Sequence, residues 1–125
     1  MSENERISKL AAIVEAAYDR KGEDIVAFDV RKLTSYADIF VIITASSDRR
    51  ARSIADSVNE AMSKHASKAR GVEGYDEGLW LLLDLDDVIV HIFQDEVRRE
   101  YDLERLWSDA PLIEVAAPAE RTAAQ

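Results

Sequence analysis

Apolar positions near the start of the chain recur three and four apart: Ile7, Leu10, Ala11, Val14, Ala17 and Tyr18. That spacing places them on one face of a helix, and Gly22 predicts where it ends. The pattern then changes. "EDIVAFDVRKL" (23–33) is rich in β-branched and aromatic residues with charges at its ends, which predicts a strand. "TSYAD" (34–38) is a turn, and "IFVIIT" (39–44) is a second strand, short and apolar enough to lie inside a sheet.

Helical spacing returns after "ASSDRR" (45–50). Ser46 or Ser47 can accept hydrogen bonds from the free N–H groups of the first turn, and Asp48 suits the positive end of the dipole. Ala51, Ile54, Ala55, Val58, Ala61 and Met62 form the buried stripe, with Lys64, Lys68 and Arg70 gathered before Gly71. "GVEGYDEG" (71–78) holds three of the four glycines and is read as a loop. "GLWLLLDLDDVIVHIF" (78–93) supplies two more strands, and "QDEVRREYDLERLW" (94–107) one short helix opened by Asp95 and Glu96. From Pro111 the periodicity fades into Ala and Pro, which predicts a disordered C-terminal tail over 112–125. The element order predicts an α+β domain over residues 1–111: a single mixed β-sheet with helices mainly on one face.

The acids Asp84, Asp86 and Asp87 fall midway between two runs of strand length, where a tight turn is needed and Asp tolerates left-handed backbone. With Leu85 and Asp86 at the turn centre, Asp84 faces Asp87, Leu82 faces Ile89 and Trp80 faces His91. Side chains alternate along a strand, so one face carries Leu79, Leu81, Leu83, Val88, Val90 and Ile92, the natural seat for helices. The other carries Trp80, Leu82, Asp84, Asp87, Ile89, His91 and Phe93. That mixture of aromatic anchors and polar groups has the composition of a protein-binding patch. Trp107 and the C-terminal segment could equally cover it, and periodicity does not choose between the two.

Charge narrows the partners. Sixteen Lys and Arg against 25 Asp and Glu leave a formal charge of −9, which opposes binding led by phosphate contacts and favours a basic protein. The chain has no cysteine, so disulfides and thiolate metal sites are excluded. "MSENERISKL" has neither signal-peptide nor transit character, no apolar run nears the ~20 residues of a membrane helix, and a cytoplasmic location is expected. Asp84 and Asp86 have the spacing of a Mg²⁺-binding pair in nucleotidyltransfer enzymes. The Gly-Ser phosphate turn those enzymes need upstream is missing from "EGLWLLL". His65 and His91 stand beside no Ser or Cys nucleophile in a known motif, so neither a metal, a cofactor nor a catalytic constellation is expected.

Three stretches, "YADIFVIITASSDRRARSIAD", "GLWLLLDLDDVIVHIF" and "VRREYDLERLW", occur in this order and resemble the ribosomal silencing factor family, RsfS or Iojap, over about residues 7–111. The resemblance implies a nucleotidyltransferase-like fold without that family's catalytic residues. It also implies binding to the large ribosomal subunit through its fourteenth protein (the uL14 family), which blocks joining of the small subunit and represses translation when nutrients are scarce. A part in large-subunit assembly and a homodimeric free state go with the family as well. The contacts it implies fall on Trp80, Leu82, Asp84 and His91 of the hairpin and on Tyr36 and Asp38 before the central strand, with Trp80 as anchor and the acids meeting Lys or Arg. Arg49, Arg98 and Tyr101 match family positions too, with structural roles equally open. Asp86 stands where the family often has Gly, and Ala45 and Arg50 where Gly and Gln are common. The rivals are a metal-dependent nucleotidyltransferase using Asp84-x-Asp86 and a dimeric scaffold for some other basic partner.

Overall fold

A computed structural model describes residues 3–64, 69 and 71–115. Elements run α1 (Glu3–Asp19), β1 (Glu23–Asp29), β2 (Ile39–Ala45), α2 (Asp48–Lys64), β3 (Val72–Glu73), β4 (Trp80–Leu85), β5 (Val88–Gln94), α3 (Asp95–Tyr101), α4 (Leu103–Leu106) and β6 (Leu112–Ile113). The strands form one sheet in the order β3-β4-β5-β2-β1-β6. Only the β2–β5 ladder is parallel; the other four pairings are antiparallel. The expected α+β domain with a single mixed sheet is the observed one.

β2 is the centre of the sheet, and all seven of its residues are buried. The two long helices lie on one face. Leu10, Ile13, Val14 and Ala17 of α1 and Ala51, Ile54, Ala55, Val58 and Met62 of α2 pack with Val41 and Ile43 of β2, Leu81 and Leu83 of β4, and Val88, Val90 and Ile92 of β5. The start of α2 follows its cap: Ser47 Oγ accepts from Arg50 N at 3.0 Å, as a serine at that position should. Lys64 is the last residue described in α2, so His65, Lys68 and Arg70 lie outside the described residues.

The apolar stripe of α1 is rotated from the expected one. Ile7 is 58% exposed and Ala11 is exposed, whereas Lys9, Leu10, Ile13, Ala16 and Ala17 turn inward. Lys9 explains the phase. Its buried amine donates to Leu85 O at 2.7 Å and to Asp87 Oδ1 at 2.5 Å, so the helix ties down the turn of the β4–β5 hairpin. An ammonium is tolerated at such depth only when it is paired and hydrogen-bonded in this way. Gly22 also closes α1 differently from the simple expectation. The left-handed residue is Lys21 (φ 62°), and Gly22 is needed because a Cβ there would lie 3.0 Å from Ala17 O and from Ile43 Cγ2.

Three further elements depart from the sequence reading. β3 sits inside the stretch read as a loop and pairs with Leu82 and Leu83. The single expected helix over 94–107 breaks at Asp102, whose φ of 46° is left-handed. That break turns Glu104 back so that its carboxylate accepts from Arg98 Nη2 at 3.2 Å, a pairing six residues apart that a straight helix does not permit. Within the stretch expected to be a disordered tail, Leu112 and Ile113 pair with Phe28 and Ala27 as an edge strand, Asp29 N donates to Pro111 O at 2.9 Å, and residues 116–125 lie outside the described residues. Backbone groups at the edge of β1 find partners there that apolar periodicity does not record.

The hairpin turn is centred one residue later than the composition suggested. Leu85 pairs with Val88, Asp84 with Ile89, Leu82 with His91 and Trp80 with Phe93, which leaves Asp86 and Asp87 in the turn. The partner numbers shift by two, and an even shift keeps the paired residues of β4 and β5 on their faces, whereas Asp87 falls into the turn and Leu79, before β4, is 48% exposed rather than under the helices. Asp86 takes φ 75°, the first turn position where glycine is preferred. Asp86→Gly therefore raises stability by about 0.5–1 kcal/mol, measured by urea denaturation with an unchanged m-value. A loss of stability would show that the Asp86 side chain holds more than its backbone costs.

Candidate functional site

The second face of the sheet is half covered. Phe28 of β1, Phe40 and Ile42 of β2, Phe93 of β5 and Ala110 form a smaller buried cluster, closed by Val97 of α3, Leu103 of α4 and Trp107. Trp107 meets Phe40 edge to face, with ring centroids 5.0 Å apart. Both readings of this face therefore hold in part: the C-terminal segment covers the sheet over β1 and β2, while the β4 end stays partly open. Trp80, Leu82 and Asp84 of β4 and Ile89 of β5 are half-buried.

Register places these residues in rows across the strands. Asp84, Ile89 and Phe40 share one row, Leu82, His91 and Ile42 the next, and Trp80, Phe93 and Thr44 the third. Tyr36, 63% exposed, leans on Phe40 at a centroid distance of 6.3 Å, which sets it at the Asp84 end of the face. Asp38 precedes β2, and its N–H donates to Asp87 O at 2.7 Å. Its half-exposed carboxylate pairs with Arg6 of α1 at 3.4 Å. Trp80, Leu82, Asp84 and Tyr36 are thus gathered on one surface, with Asp38 at its border.

His91 is placed differently from a contact residue. It is 6% exposed, flanked by Phe93 (stacked, 9° between planes) and by Phe40 (edge-on, 5.4 Å). Trp80 Nε1–H donates to His91 Nδ1 at 3.1 Å. An acceptor Nδ1 requires the neutral tautomer with its proton on Nε2, and burial lowers the pKa from 6.5 to about 4. Nδ1 is then the only site a further proton can take, so charging His91 must break the bond to Trp80. The imidazole acts from beneath: it holds the indole in place, against Phe93 and Tyr101 at 4.8 Å each.

The remaining candidates separate in the same way. Asp84 Oδ1 accepts from Asp86 N at 2.9 Å, an Asx-type turn that explains the acids locally. Asp86 is in the turn rather than beside Asp84 on the strand, and no group of three or more metal-binding side chains occurs among the described residues. Asp87, expected on the binding face, is instead held by Lys9. Arg98 is buried, its Nη1 donating to Thr44 Oγ1 at 2.7 Å and to Asp24 O at 2.6 Å, and it joins β1, β2 and α4. Tyr101 is 54% exposed and extends the aromatic surface beyond Trp80; Arg49 is exposed at the start of α2. What sequence reasoning missed is Lys9 as the tie to the hairpin, since a single lysine in an amphipathic helix carries no signal of its own.

The model for "Ribosomal silencing factor during starvation" matches residues 3–125. The Bacillus subtilis ribosomal silencing factor RsfS is 38% identical over 109 residues, 87% of this chain and 91% of that protein. A crystal structure of a Chromobacterium violaceum protein superposes with a TM-score of 0.78 at 37% identity, over 94% of this chain and 97% of that one. A crystal structure from Bacillus halodurans gives 0.77 at 31% identity, over 87% of this chain and 99% of that one.

One pH effect follows from His91. The unfolded state, with its histidine pKa near 6.5, binds a proton before the folded state does, so stability is full above pH 6.5 and falls towards pH 4. A 2.5-unit difference corresponds to about 3 kcal/mol. The stability difference between wild type and His91→Gln, followed by urea denaturation, changes across that window by an amount of this order; a constant difference would show that His91 is not buried neutral. The chain belongs to the ribosomal silencing factor (RsfS) family.

Proposed function

We propose that the chain docks on the large ribosomal subunit with the open half of its second sheet face, and thereby prevents the small subunit from joining. Its partner in this reading is the fourteenth protein of the large subunit, a basic protein at the face where the small subunit binds, and the site of action is the cytoplasm. Membership of the silencing family supports the biological outcome. The observation that carries the surface assignment is the half-covered aromatic face: Trp80, Leu82 and Tyr101 lie open in part, next to Asp84 and Tyr36. A face of this kind supplies what a hot spot needs, a rigid aromatic anchor with a polar rim. The formal charge of −9 steers it towards a basic partner.

Within this reading Trp80 is the anchor, Leu82 packs beside it, and Asp84, Asp38 and Tyr36 make the polar border. His91 contributes by fixing the indole. In the free state a second copy would cover the same apolar surface, so homodimerisation and ribosome binding compete. Neither large-subunit assembly nor nucleotidyl transfer is favoured by an observation on this surface, and Asp84 is already engaged in the turn.

Sucrose-gradient co-sedimentation with separated subunits tests the surface. Wild type travels with the large subunit alone, and Trp80→Ala weakens that binding by about 2 kcal/mol, roughly thirtyfold. Leu82→Arg is the companion variant, because it blocks the surface and leaves the Trp80–His91 bond in place. Undiminished sedimentation of both folded variants would move the docking site elsewhere.

A further inference from the structure

Beside Trp80 the open face deepens into a cleft of about 460 Å³, lined by Leu79, Trp80, Leu82 and Tyr101 together with three acids. Its floor is apolar and aromatic, with the Trp80 and Tyr101 rings 4.8 Å apart and Leu79 48% exposed. Three carboxylates from three different elements stand around the rim: Glu73 on β3, Glu77 in the following loop and Glu100 on α3. All three are exposed, and no ion pair to any of them is found among the described residues. The nearby cations are spoken for: Arg99 pairs with Asp95, and Arg52 with Asp48.

The wall of the cleft is built rather than loose. Gly74 (φ 77°) lies so close to the strand that a Cβ would fall 2.0 Å from Trp80 O, and a Cβ on Gly78 (φ 72°) would fall 2.4 Å from Asp48 Cβ. Gly78 N donates to Gly74 O at 3.0 Å, and Gln94 Nε2 donates to Gly78 O at 2.9 Å. The loop bearing Glu77 is therefore held against β4 before any partner arrives, which lowers the ordering cost of binding.

We infer that this cleft receives a lysine or arginine side chain projecting from the basic protein partner. A long cationic side chain needs apolar surface for its methylene stem and negative charge for its head. The cleft offers both in that order: Leu79, Leu82 and the rings of Trp80 and Tyr101 for the stem and for a cation–π contact, then three carboxylates for charge-assisted hydrogen bonds. Charge complementarity and continuity with the docking face select this occupant, since Trp80 and Leu82 belong to both. The inference deepens the docking proposed above and rests on it for the identity of the partner, but the cleft can be tested without the ribosome.

The test uses the ¹⁵N-labelled full chain titrated with an acetylated, amidated trilysine peptide, reading the Trp80 indole N–H. The expected result is a saturable shift of that resonance together with the amides of Leu79 and Tyr101. In the triple variant Glu73→Gln, Glu77→Gln, Glu100→Gln the peptide binds about fivefold more weakly. A matched triple on the helical face, Glu15→Gln, Asp19→Asn, Glu60→Gln, removes the same charge and leaves binding unchanged. No local shift, or equal weakening in both triples, would overturn the inference, because only the overall charge would then be acting. Tighter binding of spermidine than of the peptide would also overturn it, in favour of a free polyamine. Peptide binding without large-subunit co-sedimentation would instead retain the cleft and reject the docking, while co-sedimentation with no response to the peptide would do the reverse.

Discussion

A strand buried on both sides needs cover on both sides. β2 is such a strand, with all seven residues buried, and this demand organises the rest of the structure. Two seventeen-residue helices meet it on one face. On the other, among the described residues, cover comes only from α3, α4, Trp107 and Ala110. These suffice for Phe28 and Phe40 but do not extend over the whole of β4. The buried Arg98 ties these short helices to the sheet, donating to Thr44 Oγ1, Asp24 O and the Glu104 carboxylate together. The candidate interface is the part of the sheet that the described residues leave partly uncovered.

What occupies that uncovered part is not generic apolar surface. Trp80 is held on three sides, by Phe93, Tyr101 and the imidazole of His91, and its only polar atom is bonded inward. The indole therefore presents its ring with little rotamer freedom to lose on binding. A histidine facing a tryptophan across a hairpin suggests a surface residue when sequence alone is considered. In the fold it is a neutral buried acceptor, and its value lies in what it does to its neighbour.

The face assignments were legible in the sequence because alternation along a strand has period two. Even with the turn of the hairpin misplaced by one residue, Leu81, Leu83, Val88, Val90 and Ile92 stayed on the helical side and Trp80, Leu82 and Asp84 on the other. Spacing could not reveal interactions that exist only between distant segments. β3 and β6 are two residues each and are strands solely because β4 and β1 offer them free edges. The rotation of α1 follows from Lys9 reaching the hairpin 76 residues away, and the break at Asp102 brings Glu104 back to Arg98, a contact between turns that spacing does not record. For the site, the shared face of Trp80, Leu82 and Asp84 was readable from alternation and Tyr36 was reached only through the family resemblance, whereas the burial of His91 and the capture of Asp87 by Lys9 depend on packing that no local pattern encodes.

The central claim is that a protein occupying the large subunit keeps the small subunit away. Light scattering during rapid mixing of the two subunits measures this directly, with the chain first bound to one subunit or the other. The account predicts that joining is lost in proportion to occupancy when the large subunit is preloaded, and that preincubation with the small subunit alone merely delays the same inhibition. Joining at the full rate with the chain retained on the assembled ribosome would contradict it.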